Sequence, residues 1–170
     1  MKIYITGVPG TGKSTLAREL EKKGFYTIDM DAVKGLCDWV NLETNEKVRW
    51  YPGSSEQFFK ENKFNCNKQE LIELMKNNND VIVAGVPGNR IELLDLFDKI
   101  ILLECDEDVF IQRINKRQDN DFGKDPAEQK MLLNWQKEFI NEMNEYEVIT
   151  VNTNKPLSEV VDEIIGIINK

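Results

Sequence analysis

The stretch Gly7-Val8-Pro9-Gly10-Thr11-Gly12-Lys13-Ser14-Thr15 decides how the rest of the chain is read. Its first eight residues match G-x-x-x-x-G-K-[ST], in which glycines let successive backbone N–H groups converge on one cavity that holds phosphate oxygens. The context fits that mechanism. An apolar run, Lys2–Thr6, reads as a strand and precedes it. Lys13–Lys22 follows, with Leu16, Ala17 and Leu20 at helical spacing. A helix N-terminus at this point adds about half a positive charge facing the anion. Lys13 is placed for the β- and γ-phosphates of a nucleotide, the Ser14 hydroxyl for Mg²⁺, and Thr15 for the α-phosphate.

Outward from this turn the same alternation repeats. Gly24 stops the helix, and residues 25–28 read as a second strand. Residues 80–84 carry an unbroken Val-Ile-Val run suited to a strand buried on both faces. Residues 99–103 and 147–151 read as a fourth and a fifth strand. The fifth leads, past Pro156, into a helix with Leu157, Val160, Val161, Ile164, Ile165 and Ile168 on one face. Residues 106–117 read as a helix. Asp125-Pro126-Ala127-Glu128 opens another that runs to about residue 144, with an Asx cap, a first-turn proline and a glutamate three residues on. Strands alternating with helices predict parallel crossover units with helices on both faces of one sheet.

Composition bounds the function. The 170 residues make one domain with 41% apolar and 31% charged side chains. There are 22 basic and 30 acidic side chains, a net charge of −8, so a nucleic-acid partner is not expected. The absence of histidine removes a Ser–His triad, a histidine base and histidine-ligated metal. Cys37, Cys66 and Cys105 are odd in number and form no CxxC pair, so reduced thiols in a cytoplasmic protein are expected. No apolar run approaches the ~20 residues of a membrane span, and Met1 to Ile5 reads as a strand and not a leader.

Two segments break the alternation. Residues 34–66 hold Trp39, Trp50, Tyr51, Phe58, Phe59 and Phe64, with 39–42 and 47–51 as a candidate hairpin across 43–46. Trp39, Trp50 and Tyr51 are candidates either to stack on a ligand ring or to form the segment's own core. Lys34, Lys47 and Arg49 are anion contacts or solvated surface. Residues 118–125 form a polar loop, with Lys124 a weaker candidate.

Three further sets of residues bear on chemistry. Asp29 and Asp31 stand two apart at the end of the second strand, at the ligand-binding edge of an open α/β sheet. On a strand, both would face one way, and either could instead cap a following helix. A carboxylate there can take the proton of an attacking alcohol, whereas a phosphate acceptor needs no such base. Gly85-Val86-Pro87-Gly88-Asn89-Arg90 follows the third strand with no acidic residue, which argues against AAA-type ATPase function. Arg90 there could bind an anionic group or lie at the surface. Arg113 and Arg117 share a helix face and could grip phosphate or pair with Glu107 or Asp108.

The Gly7–Thr15 stretch, the Asp-x-Asp pair and the R-x-x-x-R helix together resemble the P-loop small-molecule and nucleotide kinases: shikimate, gluconate and adenylate kinases. The resemblance implies a three-layer fold with a five-stranded parallel sheet in the order 2-3-1-4-5. It also implies ATP and Mg²⁺ as cofactors, 34–66 as an acceptor-binding flap, and 118–125 as a short lid. Nucleotide contacts would come from Gly7, Pro9, Gly10, Thr11, Gly12, Lys13, Ser14, Thr15 and Arg113. Metal support would come from Ser14 and Asp29, and catalysis from Lys13, Asp31, Arg113 and Arg117. The acceptor would be a small molecule bearing a hydroxyl: a sugar acid, nucleoside or antibiotic. A nucleoside monophosphate acceptor and a non-kinase ATP-binding switch stay open as alternatives, as does the oligomeric state. Asn154-Lys155-Pro156-Leu157 is a near match to a guanine-reading motif, but leucine replaces its carboxylate, which favours ATP.

Overall fold

The computed structural model describes residues 1–116, 118 and 121–170. The chain runs β1 (Lys2–Thr6), α1 (Lys13–Lys22), β2 (Thr27–Asp29), β3 (Cys37–Asn41), α2 (Glu56–Glu61), β4 (Asn62–Cys66), α3 (Lys68–Met75) and β5 (Val81–Ala84). A 3₁₀ segment, Arg90–Leu96, leads to β6 (Lys99–Glu104), α4 (Glu107–Lys116), α5 (Pro126–Met143), β7 (Ile149–Asn152) and α6 (Leu157–Ile168).

Five strands form one parallel sheet in the order β2-β5-β1-β6-β7. Numbered within that sheet alone, the order is 2-3-1-4-5, as the resemblance implied. Alternation along each strand explains the layers. Ile3 and Ile5 of β1, Ile82 of β5 and Ile101 and Leu103 of β6 pack with Leu16 and Leu20 of α1 and Val160 and Ile164 of α6. The intervening Tyr4, Val83 and Leu102 face the other way, onto Leu71 of α3, Phe110 of α4 and Phe139 of α5. Both faces are buried, which is why these strands lack a polar side. Tyr4 stacks on Phe97 at 5.0 Å and its hydroxyl donates to the Gly85 carbonyl at 3.1 Å. Burial pushes its phenol well above the ordinary tyrosine range.

The expected pairing of 39–42 with 47–51 is present only as one bridge, and the main partner of β3 lies elsewhere. β3 pairs antiparallel with β4 over five residues, from Cys37↔Cys66 to Asn41↔Asn62, and 47 touches β3 through one bridge, Val40↔Lys47. Between Val40 and Lys47 the chain turns through Asn45 in the left-handed region (φ 58°). Among the described residues, no helix is long and apolar enough to cross a membrane.

Candidate active site

The parallel strands end at a cleft of about 1760 Å³, lined by the β1–α1 turn, the end of β2, the flap, α5 and the turn after β7. The wall at the β1–α1 turn is made of main chain. Gly12 caps α1 with φ 97° and provides no capping side chain, so the first-turn amides are not covered by one. Gly7 sits behind that wall, where a Cβ would lie 2.6 Å from the Leu103 carbonyl and 2.7 Å from Thr11 Oγ1. It therefore supports the cradle without lining the cleft. Lys13 is 6% exposed, and its ammonium donates to the carbonyls of Gly7 at 2.7 Å and Val8 at 3.0 Å. Thr11 Oγ1 donates to the Val8 carbonyl at 2.9 Å. Pro9, Gly10, Thr11, Gly12, Lys13, Ser14 and Thr15 all line the cleft.

Arg113 is half-buried and, among the described residues, has no ion pair within its own helix. Its guanidinium donates to Thr153 Oγ1 at 3.0 Å and to the Thr153 carbonyl at 2.6 Å, with Gly10 O at 3.5 Å. These bonds tie α4 to the turn after β7 and to the P-loop. Arg117 lies outside the described residues.

Asp29 and Asp31 line the same cleft, but the expectation that strand alternation aims them together is corrected. β2 ends at Asp29, and Asp31 lies in the turn beyond it. Asp29 Oδ1 accepts the Asp31 amide at 3.1 Å, and its carbonyl accepts Ala32 and Val33 amides. The local carboxylate–amide bond thus stabilises a turn where a capped helix was the alternative.

The opposite wall is aromatic. Trp39 of β3 lies 5.3–5.8 Å, centroid to centroid, from Phe58, Phe59 and Phe64, and 6.3 Å from Phe122 of the 118–125 segment. Trp50 meets Phe122 edge-on at 5.5 Å. Trp39 and Trp50 line the cleft, so they belong both to the flap's own packing and to the cavity wall. Tyr51 is 57% exposed beneath Arg49, Lys47 pairs with Asp38 at 2.5 Å, and Lys124 pairs with Asp121 at 2.8 Å. None of these four, nor Lys34, lines the cleft.

Glu128 was legible only as a helix-start glutamate. It is 2% exposed and accepts the Gly123 amide at 2.8 Å and Trp50 Nε1–H at 3.3 Å, joining α5, the 118–125 segment and the flap. Helix capping is left to Asp125, which accepts the Ala127 amide at 2.8 Å. Of the two readings offered for Arg90, the surface one is corrected, since the residue lines the cleft. It is 7% exposed, packs on Phe139 (4.7 Å) and Trp135 (5.9 Å), and is ion-paired with Glu142. Burial lowers its pKa. Sequence reasoning missed Glu142 because it stands 52 positions from Arg90.

The chain belongs to the AAA_18 family, described as an AAA domain, whose model matches residues 3–150. The missing acidic residue after β5 therefore does not set it apart from AAA domains. Solved structures share its whole fold. Shikimate kinase from Acinetobacter baumannii in complex with shikimate aligns with a TM-score of 0.67 at 18% identity, covering 99% of this chain and 92% of that one. Deoxyadenosine kinase from M. mycoides with bound dATP gives 0.61 at 18% identity over 100% of both chains. A gluconokinase from Sinorhizobium meliloti 1021 gives 0.57 at 20% identity over 97% and 89%. The class is thus a P-loop protein with the fold of the small-molecule kinases. Among curated proteins, no sequence matches the chain.

Proposed function

We propose that the protein is a phosphotransferase that moves the γ-phosphoryl group of ATP to a hydroxyl of a small molecule. The observation that supports it is one cleft with a main-chain phosphate cradle on one wall and Asp31 beside an aromatic flap on the other. In this reading, the P-loop amides and Lys13 hold the phosphates and offset charge spreading onto the transferring group. Asp31 orients the acceptor hydroxyl and takes its proton. Arg113 and the turn at Thr153–Lys155 border the base. The flap and the 118–125 segment exclude water from the reacting atoms.

Mg²⁺ fits the donor set. Ser14 and Asp29 line the cleft, and no cluster of three acidic, cysteine or histidine side chains able to hold a metal occurs among the described residues. Mg²⁺ takes few protein ligands when phosphates and water complete its octahedron, and it would neutralise phosphate charge there.

ADP release with Mg-ATP, measured against sugar acids, shikimate, nucleosides, nucleoside monophosphates and aminoglycosides, tests this. Large stimulation by one hydroxyl compound is expected. Stimulation by a monophosphate alone, or ATP turnover that no hydroxyl compound raises, overturns it.

A further inference from the structure

The flap brings two of the three cysteines face to face, because the β3–β4 register pairs Cys37 with Cys66. In an antiparallel ladder, opposed residues alternate between pairs that exchange both backbone hydrogen bonds and pairs that exchange none. The second kind brings Cα atoms to about 4.5 Å. The hydrogen bonds assign this rung to the second kind. The Cys66 N–H donates to Asn89 Oδ1 at 2.9 Å, and its carbonyl accepts from Asn89 Nδ2 at 2.9 Å. Both groups therefore turn away from β3. On the next rung outward, the Asn67 N–H donates to the Leu36 carbonyl at 2.8 Å, as the alternation requires. Two residues along β4, the Phe64 carbonyl accepts the Gly88 N–H at 2.6 Å, again away from β3.

A Cα separation of that size lies within the range a disulfide spans, so the backbone is already placed for one. Cys66 is 4% exposed and Cys37 is partly exposed. The thiols also feel each other. A hydrogen bond between them lowers the pKa of Cys66 and, together with burial and the nearby Asp31 and Asp38, raises that of Cys37.

We propose that Cys37 and Cys66 are a redox modification site, closing into a reversible cross-strand disulfide at the root of the flap. A peroxide is the oxidant. The Cys66 thiolate attacks one peroxide oxygen and the O–O bond breaks. The departing hydroxide takes the proton Cys66 gave up, leaving water and a sulfenic acid on Cys66. Cys37 then attacks Cys66 Sγ. The S–S bond forms, the S–O bond breaks, and the Cys37 proton leaves with the hydroxide as a second water. Two electrons pass from the sulfur pair to the peroxide, and a dithiol reverses the bond by exchange. The closed loop contains residues 37–66, all of the flap but its first three residues. The adjacent same-face rung is Trp39↔Phe64, and both of those residues line the cleft.

The test treats the full chain with stoichiometric hydrogen peroxide, then counts thiols by alkylation and maps cross-linked peptides. Two of three thiols should be lost, with a peptide pair joining Cys37 to Cys66 and a chain two hydrogens lighter. The thermal midpoint should rise by about 5–10 °C and return with dithiothreitol. Cys37→Ser and Cys66→Ala should each abolish the link and the shift. The peptide map of the unaltered sequence decides even if a variant does not fold. A link through Cys105 or between two chains, three thiols still alkylated, or an oxidised chain with an unmoved midpoint overturns the proposal.

Discussion

On one side of the cleft, the phosphate wall is main chain fixed within residues 7–15; on the other, the flap wall is side chains drawn from Trp39, Trp50, Phe59, Phe64 and Phe122. The first wall needs glycines, one lysine and a helix start, all within a few positions. The second exists only when a hairpin, a loop and a long helix have already docked. Main-chain donors cannot be tuned by substitution, but ring side chains can. In the proposed reading, the fold separates a wall that suits any nucleotide phosphate from a wall that is free to choose its acceptor.

Substitutions on each wall can break this contrast. Lys13→Ala should reduce turnover by about 10³-fold or more with the fold retained, read as ADP release beside a thermal melt. Asp31→Asn should lower kcat by about 10²-fold or more while ATP affinity, measured by titration calorimetry, moves by only a few fold. Unchanged kcat would remove Asp31 as base. Glu142→Gln leaves the buried Arg90 guanidinium less compensated. It should cost about 1–2 kcal/mol by denaturant unfolding, discounted because the Glu142 side chain is 40% exposed. It should also gain affinity for an anionic acceptor. Trp50→Phe removes one donor to Glu128. A loss of about 1 kcal/mol and a small rise in acceptor KM are expected, with ATP affinity unmoved.

The same contrast explains what could be read before folding. β1 and α1 were legible to the residue, because a local apolar run, a glycine turn and a helical repeat each act over short range. β2 and β7 shift by up to two residues, as their ends are set by neighbours in the sheet. The flap's main pairing was missed because 37–41 pairs with 62–66, a polar Asn-Lys-Phe-Asn-Cys run with no strand signature, across α2. Of the candidate site, Pro9 to Thr15, Arg113 and both aspartates reach one cleft, with Gly7 behind it. Glu128 and Glu142 could not be found, since their roles depend on Trp50 and Arg90, far away in the chain.

Asn89 has a mechanical consequence. By holding both backbone groups of Cys66, with Gly88 holding Phe64, it fastens one end of the hairpin to the loop that follows the third sheet strand. From the Cys37–Cys66 rung to the Asn41–Asn62 rung is four residues, roughly 14 Å, and the Phe64 tie lies halfway along. The hairpin is thus a short cantilever: its root is clamped at Asn89 and Gly88, and the two rungs beyond Phe64 overhang by roughly 7 Å.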